Sequence, residues 1–366
     1  MEEHGRTIYN KQTELDFSVS VNPFGMPEQV RLAAEEGLAL AGQYPDRKMQ
    51  GLREELARFY GVSAEQVICG NGASELIYAL AGAFRPARAL IVEPAFSEYR
   101  LALEAHGCQT EQITVLEGRQ FRPGDQVLGA VETGQYEMVF LCNPDNPTGQ
   151  LADTGFLEQL VKVCRKTHCR LAADECFMEF VPEKEQNSLI PKLPDGEGIL
   201  VLKAFTKMYA MPGLRLGYLL AGSREDAARI RRMLPPWNVS MMAQLAGRAA
   251  LKEQAYVAGS RERLIKEREW MSEKLGRAGY PVWESRTNFL LFEGPEDLQR
   301  RCLERGIYLR DCRNFAGLGP GFFRAGMRKH RDNERLARLL EEMAEKKRNP
   351  VQGKRKENSE VRLWQK

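Results

Sequence analysis

The fold class is indicated most clearly by residues 138–149, MVFLCNPDNPTG. Its first five residues are an unbroken apolar run, which is typical of a strand buried on both faces. The prolines and the glycine that follow end the strand in a turn. A strand of this kind belongs in a parallel sheet that is covered by helices on both sides.

The same pattern recurs along the first two thirds of the chain. Short apolar runs predict further strands at 67–69, 89–92, 170–173 and 199–202. Between them, helical spacing predicts helices at 47–60 and 74–84. Strands that alternate with helices indicate a large α/β domain with a mostly parallel sheet in three layers, α/β/α.

The pattern changes at Pro235-Pro236. A long helical stretch, two short apolar runs and a closing helix follow, at 241–278, 288–292, 306–309 and 334–343. They predict a smaller α+β domain. The expected divisions are an N-terminal arm that contributes to the small domain and the active site, a large domain, a small C-terminal domain and a basic, flexible tail, at residues 1–25, 26–235, 236–345 and 346–366.

Composition excludes several classes of protein. The net charge is +3, from 53 Lys and Arg against 50 Asp and Glu, which is too balanced to indicate a nucleic-acid or membrane partner. The eight cysteines form no C-x-x-C pair and lie beside no histidine cluster, so we expect free buried thiols and no metal site. The N-terminus has no apolar signal core, which favours a cytoplasmic location.

Polar residues follow the predicted strands at the edge where open α/β sheets bind ligands. Taken singly, each has an ordinary explanation as a turn, a helix cap or a surface lysine. Together they match what pyridoxal 5′-phosphate requires. Lys207 supplies the amine that bonds to its aldehyde, Asp174 the carboxylate for its pyridine nitrogen, and Asn146 a hydrogen-bond donor. The remaining candidates are a stacking ring, a helix-opening turn for the phosphate and a phosphate cation, namely Phe96, Gly72-Ala73-Ser74 and Arg215.

These motifs resemble the class I/II, fold-type I aminotransferase group of pyridoxal-phosphate enzymes. The resemblance is carried by N-P-D-N-P-T-G, D-E, T-K and G-L-R-L-G at 143–149, 174–175, 206–207 and 213–217. It implies that Lys207 is the catalytic lysine and that Thr206 beside it contributes to the cofactor site. It also implies a homodimer, in which Tyr44 reaches the cofactor phosphate of the partner.

Two branches of the group are closest, threonine-phosphate decarboxylases and histidinol-phosphate aminotransferases. The early His4-Gly5, the Asp16-Phe17-Ser18 segment and Phe177, where many aminotransferases have Tyr, resemble the decarboxylases. The resemblance implies decarboxylation of L-threonine O-3-phosphate to (R)-1-amino-2-propanol O-2-phosphate in cobalamin biosynthesis. Two alternatives stay open, a histidinol-phosphate or related aminotransferase and an L-serine O-phosphate decarboxylase.

The substrate is a small phosphorylated amino acid, and the residues expected to bind it are His4, Gly5, Asn22, Arg310 and Arg324. His4 is equally well explained as a terminal residue, and Arg310 as a surface charge. One departure from the family stands at Ala204, where Ser or Thr is usual and contacts the cofactor phosphate. The lost hydroxyl should weaken cofactor binding by about 1 kcal/mol. It also leaves open a cofactor-binding protein without catalysis.

Overall fold

The computed structural model describes residues 14–115, 118 and 121–348. His4 and Gly5 lie outside the described residues, as does most of the C-terminal tail. The helices are α1 to α12, at Glu28–Ala39, Gln50–Tyr60, Ala73–Phe84, Glu98–Ala105, Asp125–Glu132, Thr154–Thr167, Lys184–Asn187, Arg224–Arg231, Met241–Ala250, Gln254–Ala278, Leu298–Leu303 and His330–Arg348. The strands are β1 to β12, at Leu15–Asp16, Val67–Gly70, Arg88–Glu93, Gln109–Thr114, Met138–Cys142, Arg170–Asp174, Ile199–Ala204, Gly217–Ala221, Phe289–Glu293, Ile307–Tyr308, Arg310–Asp311 and Phe322–Gly326.

Within the described residues, seven strands form the main sheet in the order β2-β8-β7-β6-β5-β3-β4. Strands β4, β3, β5, β6 and β7 pair in parallel. Strand β8 is antiparallel to both of its neighbours, β7 and β2. The predicted mostly parallel α/β fold is therefore confirmed, with β8 as the exception.

Each face of this sheet carries its own apolar core, because successive side chains of a strand point to opposite faces. In β5, Val139 and Leu141 belong to the core that also holds the buried residues of α2, α6 and α9. Phe140, between them, belongs to the core beneath α3, α4 and α8. The two cores make the molecule three layers deep and explain why β5 is apolar at every position.

Two smaller sheets follow in the C-terminal part. Strand β1 pairs in parallel with β10, so the segment at Leu15–Asp16 joins the second half of the chain. Strand β12 lies between β11 and β9 and is antiparallel to both. In this register Arg310 lies directly opposite Arg324. The domain boundaries at residues 25, 235 and 345 stay a prediction.

Three helices differ from the predicted bounds, and one of them is the closing helix, which was expected at 334–343 and spans His330–Arg348. The helix expected from residue 47 begins at Gln50, because the Asp46 carboxylate accepts from the backbone N–H of Lys48 and Gln50 at 2.8 and 2.7 Å. The stretch 241–278 is two helices rather than one, because the i to i−3 hydrogen bonds of Lys252 and Glu253 tighten and end the first.

The cysteines are all free, and seven of the eight are buried, as predicted. Among the described helices, none is both long enough and apolar enough to cross a lipid bilayer.

Candidate active site

The carboxyl edge of the main sheet brings the predicted residues together. Cys142, Asp174 and Leu202 are neighbours in register across β5, β6 and β7. Asn146 therefore follows the end of β5, Asp174 is the last residue of β6, and Lys207 comes three residues after the end of β7. Residues far apart in the sequence share one edge because the parallel strands all end there.

Lys207 is partly buried at this edge. Its ammonium lies 5.7 Å from the ring centre of Phe177, and its carbonyl oxygen accepts from the backbone N–H of Asn22 at 2.9 Å. Desolvation, together with the positive charge of Arg324, lowers the pKa of Lys207 to about 8. A lysine in this state is partly neutral near pH 8, and a neutral amine is the form that attacks a carbonyl carbon.

Asp174 is buried, and each of its carboxylate oxygens accepts a hydrogen bond. The backbone N–H of Cys176 donates to Oδ1 at 2.9 Å, and the Tyr99 hydroxyl donates to Oδ2 at 2.6 Å. The Tyr99 ring stacks on Phe140, with ring centres 5.0 Å apart. Burial and the charge of Asp174 raise the pKa of Tyr99, which keeps the hydroxyl a donor. The carboxylate is thus fixed in one orientation.

Sequence reasoning missed Tyr99. It lies in α4, three residues after Phe96, in a segment whose only singled-out residue was the candidate stacking ring. The signal that could have found it is its place six residues after the end of β3, at the sheet edge where ligands bind. The edge of the Phe96 ring lies against Tyr99, with ring centres 5.9 Å apart.

The turn before α3 forms a cradle that suits a phosphate. Gly72 has a φ of 83°, and a side chain there would meet the guanidinium carbon of Arg215 at 2.8 Å. A side chain at Gly217 would meet the backbone nitrogen of Ala73 at 2.6 Å. The N-terminus of α3, which carries Ala73 and Ser74, therefore lies beside an arginine with no side chain between them. Backbone N–H groups at a helix start and a guanidinium together suit an anion.

Asn146 and Arg324 hydrogen-bond to each other across 178 residues of sequence, with the guanidinium donating to the amide oxygen. This contact orients the Asn146 amide so that its NH₂ group is the end left to donate. Arg324 also donates to the carbonyl oxygen of Ser18 at 2.7 Å, while its buried Nε has no hydrogen-bond partner among the described residues. Burial lowers the pKa of Arg324 to about 10, which leaves it charged at neutral pH.

Arg310 and Arg324 are the two buried arginines predicted to bind substrate. They are cross-strand partners on β11 and β12, and each is less than a tenth exposed. Arg310 donates to the side-chain oxygen of Asn314 at 3.0 Å. The alternative of a surface charge at Arg310 is wrong, because the side chain is buried. Two buried cations side by side suit a ligand that carries two negative groups.

Three predicted site residues remain, of which two are buried near Lys207 and one is exposed. Thr206 is buried beside Lys207. Asn22 is also buried, but its amide donates to the Met208 carbonyl at 2.9 Å and to the Tyr256 hydroxyl at 3.0 Å. Asn22 thus orients the segment around Lys207 through its backbone and side chain. Tyr44 is 79% exposed and packs on Trp237, so within one chain it covers no site.

Pyridoxal 5′-phosphate fits this set of residues. The low-pKa lysine, the fixed carboxylate, the oriented amide and the α3 cradle match the aldehyde, the pyridine nitrogen, the ring oxygen and the phosphate. The donor-only Nε of buried Arg324 points to an acceptor that the described part of the chain does not supply.

Residues 12–342 match the family model described as aminotransferase class I and II. A threonine-phosphate decarboxylase from Salmonella typhimurium is 37% identical over 89% of this chain and 90% of its own length. A histidinol-phosphate aminotransferase from Desulfitobacterium hafniense is 34% identical over 88% of both chains. The crystal structure of the histidinol-phosphate aminotransferase from Clostridium acetobutylicum has a TM-score of 0.85 and 27% identity, covering 90% of this chain and 99% of that one.

Proposed function

We propose that this chain, which belongs to the aminotransferase class I and II family, removes the carboxyl group of L-threonine O-3-phosphate and releases (R)-1-amino-2-propanol O-2-phosphate. The chain is a pyridoxal 5′-phosphate enzyme, and two branches of the family, decarboxylases and aminotransferases, compete for its reaction. The observation that carries the choice of decarboxylation is Phe177, an apolar ring 5.7 Å from the Lys207 ammonium.

Phe177 bears on the reaction because it offers no hydroxyl at this place. Its ring is buried and packs against Phe180 and Phe289, with ring centres 6.1 and 5.1 Å away. Transamination requires a proton to move from the α-carbon of the substrate to the aldehyde carbon of the cofactor. A tyrosine here would supply a hydroxyl beside the lysine that can hold or move such a proton. Loss of CO₂ needs no proton to be removed from the substrate carbon. An apolar wall therefore suits decarboxylation better than proton transfer.

The cofactor would be held at four points and covered on one face of its ring. Lys207 would bond to its aldehyde, Asp174 would bind its pyridine nitrogen, and Asn146 would donate to its ring oxygen. The α3 turn at Gly72-Ala73-Ser74 would bind the phosphate together with Arg215, and Phe96 would cover the ring. Once bound, the cofactor supplies an electron-withdrawing ring that accepts the electron pair of the bond that breaks.

The two arginines would fix the substrate. Arg324 would bind the carboxylate through its two-pronged guanidinium, and Arg310 would bind the phosphate, with His4 and Gly5 as further candidates outside the described residues. Asn22 stays a proposed substrate residue, although its side chain is hydrogen-bonded to Met208 and Tyr256. Binding at both ends sets which bond of the substrate's α-carbon is presented to the cofactor. After CO₂ leaves, the α-carbon must take up one proton, and the Lys207 ammonium is the donor we assign.

Transamination of histidinol phosphate is the second candidate, since the Desulfitobacterium aminotransferase is 34% identical over a similar length. Histidinol phosphate has one anionic group and no carboxylate, so it would use only one of the two buried arginines. Threonine phosphate has both groups. Serine phosphate differs from it by one methyl group, which changes binding by only ~1–3 kcal/mol, so it is the nearest competitor within the decarboxylase proposal.

A homodimer is part of the proposal. In a single chain Arg215 is exposed beside the phosphate cradle, while Tyr44 is exposed and packs on Trp237. A second chain whose Tyr44 reaches the open cradle would complete it. We place the enzyme in the cytoplasm, with cobalamin assembly as the pathway that the decarboxylase resemblance implies.

The test is to incubate the cofactor-loaded enzyme with O-phospho-L-threonine and to measure released CO₂ and the amine product. Parallel arms use O-phospho-L-serine, and histidinol phosphate without an added 2-oxo acid, so that any amine form of the cofactor accumulates. We expect CO₂ from phosphothreonine, less from phosphoserine, and no conversion of the bound cofactor to its amine form by histidinol phosphate. Absence of CO₂ together with amine-form cofactor would replace this proposal with the aminotransferase.

A further inference from the structure

The loop between β11 and β12, residues 312–321, folds back over its own small sheet. Its Phe315 and Leu318 are buried in one apolar cluster with Leu291 of β9. Leu291 lies directly opposite Arg324 in the strand register, so the two side chains share one face of the sheet. The loop is therefore anchored on the face that carries the proposed substrate arginines.

A tight turn at the start of this loop brings Asn314 next to Arg310. The backbone N–H of Phe315 donates to the carbonyl oxygen of Cys312 at 3.0 Å, which closes the turn. The guanidinium of Arg310 then donates to the side-chain oxygen of Asn314 at 3.0 Å. The contact joins the last strand residues before the loop to the loop itself.

The loop holds the Arg310 guanidinium from two directions. Besides the hydrogen bond to Asn314, the guanidinium carbon lies 5.4 Å from the ring centre of Phe315. The side chain of Arg310 is also buried, which restricts it further. An arginine that is fixed in advance loses less freedom when it binds an anion, and its planar fork keeps one direction.

The neighbouring arginine has a partner of the same kind. Arg324 donates to the amide oxygen of Asn146, as Arg310 does to that of Asn314. Since an arginine can only donate, it fixes which end of the amide faces it, and the NH₂ end is left for another acceptor. The NH₂ group of Asn314 donates to no residue in the described part of the chain. Each pair thus offers an oriented amide donor beside a guanidinium.

We propose that Asn314 is a specificity-determining residue, which binds the substrate phosphate together with Arg310. The inference rests on the proposed function, in which Arg310 takes the phosphate. A phosphate monoester carries ~1.5–2 negative charges and three acceptor oxygens, so it suits more donors than one guanidinium directs at it. The Asn314 oxygen positions the guanidinium, and its NH₂ group donates to a phosphate oxygen. The same amino acid without phosphate leaves both groups unused and is bound more weakly.

The experiment compares two ligands of the cofactor-loaded enzyme, O-phospho-L-threonine as the substrate and L-threonine as a competitive inhibitor without phosphate. Asn314→Ala should raise KM for phosphothreonine about tenfold, because a hydrogen bond to a charged group is lost and Arg310 is less well fixed. The kcat and the Ki of L-threonine should stay unchanged. A general disturbance of the site would instead weaken both ligands or lower kcat.

Asn314→Asp separates the two functions of the amide. It keeps an oxygen that accepts from Arg310, but it replaces the NH₂ donor by a negatively charged oxygen that repels the phosphate. KM for phosphothreonine should therefore rise further than in Asn314→Ala, by about a hundredfold. The control is Gly319→Ala in the same loop, where an added Cβ meets no atom within 4 Å, and its KM should equal that of the unaltered enzyme.

Failure of this inference is distinguishable from failure of the proposed function. If the unaltered enzyme releases no CO₂ and converts histidinol phosphate instead, the proposed function fails, and KM for histidinol phosphate should show the same two increases because it carries the same phosphate group. The inference itself is overturned if both variants bind the phosphorylated substrate as tightly as the unaltered enzyme. It is also overturned if L-threonine weakens equally, or if Asn314→Asp binds the substrate more tightly than Asn314→Ala.

Discussion

Two lysines four residues apart, Lys203 and Lys207, occupy opposite electrostatic environments. Lys203 lies inside β7 between two carboxylates, Glu179 and Glu175, which raise its pKa although burial opposes them. Lys207 lies beyond the strand end, where desolvation and Arg324 lower its pKa to about 8. Both are lysines of the same segment, yet one is held charged and the other is poised to become neutral.

Burial alone therefore does not create a reactive lysine. Burial acts on both amines in the same direction, and the sign of the neighbouring charge decides the outcome. Strand geometry separates the two environments, because Lys203 points to the α2 face and Lys207 follows the strand to the ligand-binding edge. Lys203 is therefore expected to stabilise the fold, and Lys207 to perform chemistry.

The largest expected effect comes from removing the charge of Lys203. Lys203→Met leaves Glu179 buried beside only one cation, which should lower the free energy of unfolding by ~3–5 kcal/mol. Urea denaturation measures the change, and Lys252→Met, at an exposed position, is the control. If Lys203→Met proves as stable as the unaltered protein, the ion cluster is not structural and the contrast with Lys207 fails.

The low pKa of Lys207 should be visible in the pH dependence of cofactor loading. Cofactor loading needs the neutral Lys207 amine, whose fraction rises as pH increases through about 8. Loading of the cofactor-free enzyme should therefore accelerate about tenfold from pH 7 to pH 9 and then level off, since each pH step below the pKa changes the neutral fraction about tenfold. Stopped-flow absorbance follows the reaction. A rate that keeps rising tenfold per unit up to pH 10 would indicate an ordinary lysine.

Tyr99→Phe tests whether the fixed orientation of the Asp174 carboxylate contributes to the reaction. Removing the hydroxyl frees one oxygen of Asp174, so the carboxylate loses its fixed orientation and kcat should fall by roughly tenfold. KM should change little, and the pH at which the bound cofactor changes colour should shift. The control is Tyr78→Phe, which removes a hydroxyl bonded to the exposed carboxylate of Glu98 at 3.1 Å. Equal effects of the two variants would show that Tyr99 has no positioning role.

The sequence predicted the central strands of the main sheet but not β4 or β8. Apolar runs such as 138–142 predicted the central strands because these are buried on both faces. Strand β4, Gln109–Thr114, has a polar sequence and lies at the sheet edge, where one side needs no apolar cover. Strand β8 begins at the end of the Arg215 motif, and the sequence did not predict a strand there. Its antiparallel direction follows from tertiary pairing rather than from residue type.

The candidate site could also be predicted only in part. Lys207, Asp174 and Arg215 were predicted because each follows a strand or belongs to a family motif. The hydrogen bond between the side chains of Asn146 and Arg324 joins residues 178 positions apart, and nothing in either local sequence indicates it. The pairing of Arg310 with Arg324 is set by strand register, which is fixed only when the small sheet forms.

The smallest expected effect concerns Ala204, the neighbour of Lys203 on the other face of β7. Ala204→Ser restores the hydroxyl usual in the family, on the side of the α3 cradle. Cofactor affinity should rise by about 1 kcal/mol, or roughly fivefold in Kd. Equilibrium dialysis of the cofactor measures this, with Ala258→Ser as the surface control. An unchanged Kd would mean that the hydroxyl does not reach the phosphate.

One measurement decides which lysine carries the cofactor. The loaded enzyme is reduced with borohydride, digested and mapped by mass spectrometry. We predict the reduced cofactor on Lys207 and none on Lys203, and we expect Lys207→Ala to lose the visible absorption of the bound cofactor. Label on Lys203 or on any other lysine, or visible absorption that persists in Lys207→Ala, would contradict this prediction.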